Sequence, residues 1–169
     1  MAEPLNSTHH DTLEFAAYGL TAPWGTVRRH TVIECSPEAA WDRIADVPNN
    51  ASWFTGLVAS WCEPDPDTDK QVRKVTMPTG MVMTEDIVVV DNVQRRLQYA
   101  LRPVSVFTHH LATIDVIEIP QVPKAPQTCL VVYSTDMAPR PIALSFGGAI
   151  ERALASLKSQ LEAAAAAYR

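Results

Sequence analysis

The C-terminal stretch constrains this chain more than any other part of it. From Pro141 to Tyr168 there is no internal proline, and Phe146, Ile150, Leu154, Leu157, Leu161 and Tyr168 recur at helical spacing along one side. Glu151, Lys158, Ser159 and Glu162 fall opposite, so the spacing predicts one long amphipathic helix with a single face committed to a core. Ala163–Ala167 extends it with strong helix-forming residues. Such a helix needs an apolar surface large enough to receive it.

The preceding residues supply that surface as strands. Val27–Cys35 alternates as a strand, and Ser36-Pro37-Glu38 reads as a helix start, with serine as cap and proline at the first position. The short helix runs from Glu38 to Asp46 and ends at Pro48-Asn49-Asn50. A second short helix at Ala51–Thr55 and a strand at Leu57–Cys62 follow. Five more strands are expected over Gln71–Met77, Met81–Val90, Arg95–Arg102, Val106–Ile119 and Thr128–Met137, separated by short Pro, Gly and Asn breakers. Consecutive strands with short connections form an antiparallel meander, and its apolar face must be covered. The fold class is therefore α+β, a curved antiparallel sheet around the last helix.

Length and composition narrow the rest. The 169 residues suit one domain, expected over 26–169, with 1–25 as a partly flexible extension. Within that extension Leu13–Leu20 could dock as a turn, Trp24 could anchor it, and His9-His10 is read as solvated. The net charge of −5, without a basic cluster, argues against nucleic acid as a partner. No apolar run reaches the roughly 20 residues of a membrane helix, and Met1–Asp11 lacks the basic start of a secretory signal. A cytoplasmic protein, monomer or homodimer, is the expectation. Cys35, Cys62 and Cys129 are odd in number and widely spaced, as reduced thiols would be. No cofactor or metal motif occurs. His109-His110 is not a metal pair, because adjacent strand residues point to opposite faces.

Hairpin register brings out a polar row. A loop at Pro78-Thr79-Gly80 pairs Met77 with Met81, Val75 with Met83 and Arg73 with Glu85. Paired residues share a face, so Arg73 and Glu85 lie among Val75, Met77, Met83, Ile87 and Val89. If the next hairpin turns at Asn92-Val93 and pairs Val90 with Gln94, Glu85 pairs with Tyr99, flanked by Leu97 and Leu101. An opposite-charge pair on the apolar face either satisfies itself or serves a ligand. Glu85 is the candidate general acid or base, and Tyr99 the candidate carbonyl polariser. Gly147, Gly148, Ala149 and Ala153 offer small side chains on the helix, which leave volume unfilled, and the methionines offer an adaptable wall. Trp41, Trp53 and Trp61 are read as core or rim packing.

The segments VIECSPEAAWDRIADVPNNASWF (Val32–Phe54), VRKVTMPTGMVMTEDIVVVDNVQRRLQYAL (Val72–Leu101) and ALASLKSQLEA (Ala153–Ala163) resemble the START-like helix-grip superfamily, in particular its polyketide cyclase/dehydrase-like branch. The second segment also resembles the plant abscisic-acid receptors. The resemblance implies a seven-stranded sheet gripping the last helix, with a cavity between them for a small hydrophobic molecule such as a lipid, polyketide or aromatic compound. It implies a binding or carrier protein, or alternatively a cyclase or dehydratase. It also places His110, with Thr108, beside the polar row, making His110 a candidate catalytic group together with Glu85, Tyr99 and Arg73; the sequence pattern leaves open which face of that strand is inward. The ligand wall then takes in Arg73, Val75, Met77, Met83, Glu85, Tyr99, Leu101, Thr108, His110 and Val132 from the sheet, and Phe146, Ala149, Ile150 and Ala153 from the helix. The turn at Pro78-Thr79-Gly80 corresponds to a gate in the hormone receptors, but is shorter here.

Overall fold

The computed structural model describes residues 25–103, 108–123 and 125–167. The expected N-terminal extension, the start of the strand from Val106 and the helix residue Tyr168 lie outside the described residues.

Seven strands form one sheet: β1 (Gly25–Ile33), β2 (Ala59–Pro64), β3 (Gln71–Thr76), β4 (Val82–Asp91), β5 (Arg96–Leu101), β6 (His109–Glu118) and β7 (Cys129–Ala138). Their order is β1-β7-β6-β5-β4-β3-β2, and every neighbouring pair is antiparallel. The meander from β2 to β7 follows chain order, and β1 closes beside β7. Between β1 and β2 lie helix α1 (Pro37–Ala45) and a 3-10 turn (Val47–Ser52). As expected, Ser36 caps α1, its Oγ accepting from the Ala39 N–H at 3.1 Å, with proline inside the first turn. The long helix α2 spans Arg140–Ala167 and packs on β1 and β7. Among the described residues no helix is long and apolar enough to cross a membrane.

The core divides into two clusters. The larger joins Ile33, Ile44, Trp53, Leu97, Ile114 and Tyr133 to Ile150, Ala153, Leu154 and Leu157 of α2. The smaller holds Val75, Met83 and Leu101, with Leu57 and Met77 against it. Cys35 and Cys129 are buried free thiols, their Sγ atoms 3.9 Å apart.

Three expectations of local geometry are corrected. The β4–β5 hairpin pairs Glu85 with Leu101 and Ile87 with Tyr99, so Glu85 does not pair with Tyr99. The loop is longer than a two-residue turn: Asp91 pairs with Arg96, and the Asp91 carboxylate accepts from the Val93 and Gln94 N–H groups at 2.9 and 2.8 Å. A register shift between Ile87 and Val89 makes Val88 a bulge, which turns Val89 to the outer face, opposite Gln98. The loop and the bulge together displace the register by an even number of residues, so Glu85 and Tyr99 still share the inner face.

Gly147 is the second correction. A Cβ there would stand 2.7 Å from Arg29 Nη2 and 3.4 Å from Val27 Cγ1, so the glycine lets α2 approach β1 closely rather than leaving volume free. Gly148 borders Arg152 of its own helix. The third concerns β7, whose alternation puts Val131, Tyr133 and Met137 inside and Val132 on the outer face.

Candidate functional site

A cavity of about 110 Å³ lies between the sheet and the first turns of α2. β3 and β4 contribute Arg73, Val75, Met83 and Glu85; β5 contributes Tyr99 and Leu101; β6 and β7 contribute His110 and Met137. Phe146 and Ala149 form the helix side, and Phe54, Gly56 and Leu57 close it from the segment after the 3-10 turn. Met77 and Met81 flank the hairpin turn at the rim, where Met81 is 43% exposed.

The polar floor is built from strand neighbours. Arg73 and Glu85 are directly paired across β3 and β4, with Nη1 3.2 Å from Oε2, and both side chains are buried. Arg73 Nε donates to Ser60 Oγ at 3.0 Å, and Ser60 in turn donates to the Val47 carbonyl at 3.1 Å. The guanidinium also lies over the Tyr99 ring, 5.1 Å from its centroid, a cation–π geometry. Tyr99 shares a short hydrogen bond with the Tyr133 hydroxyl behind it.

His110 reaches the floor by a different route. The β5–β6 ladder ends at Tyr99 and Ala112, and the free Leu101 N–H donates to His110 Nδ1 at 3.0 Å instead. That bond makes Nε2 the protonated nitrogen of a neutral ring. The imidazole ring stands 5.7 Å from that of Tyr99, centroid to centroid.

Burial governs the titration of this floor. It presses the His110 pKa down to about 4, helped by His109 and Arg73. It pushes Tyr99 up to about 12, and Tyr133 well above the ordinary phenol value. The Glu85 carboxyl is raised by burial, against the pull of Arg73. Arg73 keeps its charge: burial works against it, but Glu85 and the two tyrosines favour it. Although Oε2 is at ion-pair distance from Arg73, no N–H is directed at it, and it stands without a hydrogen-bond partner.

The structure thus brings together ten of the fourteen residues expected on the wall: Arg73, Val75, Met77, Met83, Glu85, Tyr99, Leu101, His110, Phe146 and Ala149. It leaves out four. Thr108 is exposed, its N–H donating to the Ala138 carbonyl at 3.2 Å. Val132 lies on the outer face, while Ile150 and Ala153 are fully buried in the larger core cluster and do not line the cavity. β6 turns His110, Ala112, Ile114 and Val116 inward and leaves His109 exposed. Among the described residues no three His, Cys, Asp or Glu side chains gather as a metal site.

Sequence reasoning missed Phe54, Gly56, Leu57 and Met137 on the wall, and Tyr133 behind it. β7 is apolar at both parities only as far as Tyr133; beyond it Ser134 and Asp136 fall on one parity and Met137 joins Tyr133 on the other, and that was the available signal. Nothing in the spacing marks the irregular segment 53–58 as a lid on one side of the cavity.

The family model for "Polyketide cyclase / dehydrase and lipid transport" matches residues 25–167. The chain belongs to that family. Its members' helix-grip architecture recurs in solved structures. XoxI from Bacillus cereus is similar at 22% identity and TM-score 0.68, over 81% of this chain and 95% of that one. A START superfamily protein from Mycobacterium smegmatis is similar at 15% identity and TM-score 0.63, over 81% and 97%. Norcoclaurine synthase from Thalictrum flavum, solved in complex with dopamine and hydroxybenzaldehyde, is similar at 13% identity and TM-score 0.58, over 81% and 86%. No curated protein matches the sequence. Family and fold together make this a hydrophobic-ligand-binding architecture, the START-like helix grip.

Proposed function

We propose that the chain binds a small, largely apolar molecule in the cavity between the sheet and α2, as a binding or carrier protein. The observation that carries this reading is the cavity's composition: an aliphatic, methionine-rich wall around one buried polar cluster of Arg73, Glu85, Tyr99 and His110. The wall suits an apolar body, and the cluster suits a polar end. Amide spectra recorded while small aromatic and lipid-like compounds are titrated into the full chain test the reading. Shifts concentrated at Val75, Met83, Leu101 and Ala149 support it, and shifts scattered over the surface for every compound overturn it.

A second reading, a cyclase or dehydratase, draws support from His110. The ring faces inward beside Tyr99, where Nε2–H could polarise a carbonyl while Glu85 accepts a proton. The similar norcoclaurine synthase is solved with dopamine and hydroxybenzaldehyde, an amine and an aldehyde, which supports considering a carbonyl compound as occupant here. Incubation with a linear poly-β-carbonyl compound tests this: faster cyclisation that Glu85→Gln abolishes supports it, and a rate equal to that without protein rejects it.

A further inference from the structure

Hydrogen bonding and burial leave His110 with one free nitrogen. Nδ1 is turned to β5, where it accepts from the Leu101 N–H at 3.0 Å. Burial holds the ring's pKa down at about 4, so at pH 7 the ring is neutral, Nε2 carries its one proton, and Nε2 can only donate. Among the described residues nothing accepts from it.

That nitrogen is open to the cavity. The unpartnered side-chain atoms sealed from solvent among the described residues are Trp53 Nε1, Glu85 Oε2 and Thr135 Oγ1. His110 Nε2 is unpartnered but not sealed. Its residue is only 7% exposed and lines the cavity, so the opening is onto that void. A donor in so apolar a place costs free energy until an acceptor reaches it, and the acceptor must come with the occupant.

The surroundings restrict the kind of acceptor. Arg73 and Glu85 balance each other, and Arg73 Nε is engaged by Ser60, so the floor has no net charge to hold an anion. Val75, Met83, Leu101 and Phe146 would strip water from a carboxylate without replacing it. A carbonyl oxygen accepts without carrying charge. A volume of about 110 Å³ has room for about one ring, and methionine sulfur packs well against an aromatic one.

We infer that His110 selects the occupant: the cavity takes a neutral, ring-bearing carbonyl compound whose oxygen accepts from Nε2–H. This inference rests on the binding reading above, names the chemistry of its ligand, and requires no reaction.

Calorimetric titration of the full chain at pH 7 with acetophenone, isopropenylbenzene and benzoate tests it. The first two share a shape, a methylene group in the alkene standing where the ketone has its oxygen. Benzoate keeps the acceptor and adds a charge. Acetophenone is expected to bind about tenfold tighter than the more hydrophobic alkene, the scale of one buried donor gaining its partner. In His110→Phe, which keeps a ring but has no N–H, that preference should vanish. The carbonyl stretch of acetophenone bound to wild type should lie below its frequency in hexane, a readout that does not depend on the variant folding. Equal binding of ketone and alkene, a preference kept in folded His110→Phe, benzoate binding as tightly as the ketone, or an unshifted stretch overturns the inference. If none of the three binds, the inference also fails, and native mass spectrometry of the purified chain separates the two claims. A co-purified molecule leaves the binding reading standing, whereas an empty chain removes both.

Discussion

Arg73 and Glu85 face each other across β3 and β4 with Nη1 and Oε2 3.2 Å apart, and almost no water reaches either side chain. A pair so buried adds little net stability over apolar packing, but its halves depend on each other. Arg73 cannot shed its charge, so Glu85 is its counter-charge. Replacing Glu85 with Leu or Arg73 with Met alone should cost about 3–5 kcal/mol, because the survivor is left uncompensated. The double variant Arg73→Met/Glu85→Leu should cost far less than the two single losses added together. Urea denaturation of the four proteins measures the coupling, and additive losses would show that the pair is not a unit.

His110 ties stability to pH. Its folded pKa is near 4, against an ordinary 6.5, chiefly because burial disfavours the charged ring. As pH falls through 6.5 the unfolded chain takes up a proton that the folded chain refuses until about pH 4. The unfolded state thus binds more protons in this window, and stability is lost as pH falls through it. The loss between pH 7 and pH 5 should be about 2 kcal/mol from this group. His110→Gln keeps an acceptor for the Leu101 N–H but does not titrate. The difference between wild type and variant, followed by urea midpoints from pH 7 to pH 5, should therefore carry this slope. A difference independent of pH would contradict a neutral, buried His110.

Gly147 should tolerate alanine. The added Cβ would displace Arg29 Nη2, the mobile end of a side chain whose ion pair with Glu151 is largely exposed. Losing that pair costs about 0–1 kcal/mol, whereas alanine in a helix interior gains about 1 kcal/mol over glycine. Gly147→Ala is expected to leave thermal stability equal or slightly raised. A loss above about 2 kcal/mol would mean that the β1–α2 approach itself had been disturbed.

The fold was readable because its two signals are strong and independent. The C-terminal stripe has a helical period, and the alternating segments before it are broken by Pro, Gly and Asn at short intervals. The β3–β4 register followed from one short loop, and Arg73–Glu85 with it. The β4–β5 register did not, because neither the Asp91-capped turn nor the bulge at Val88 leaves a mark in a run of similar valines. Glu85 and Tyr99 fell on the right face because the two displacements combine to an even number. The extent of the cavity along α2 was not readable either. The stripe from Phe146 to Leu161 is continuous, and only packing from α1 and the 3-10 turn separates the part lining a void from the part filling the core.

A ligand-binding role requires that the cavity hold a molecule. Native mass spectrometry of the chain as purified from cells, beside Ala149→Leu prepared identically, tests this most directly. Ala149 lines the void from α2, so the larger side chain fills it at a stability cost of about 1–3 kcal/mol or less. Wild type should carry a small molecule that is released on denaturation, and Ala149→Leu should lose most of that occupancy while remaining folded. Equal spectra, with both chains empty or both carrying the same mass, would contradict a ligand seated between the sheet and the helix.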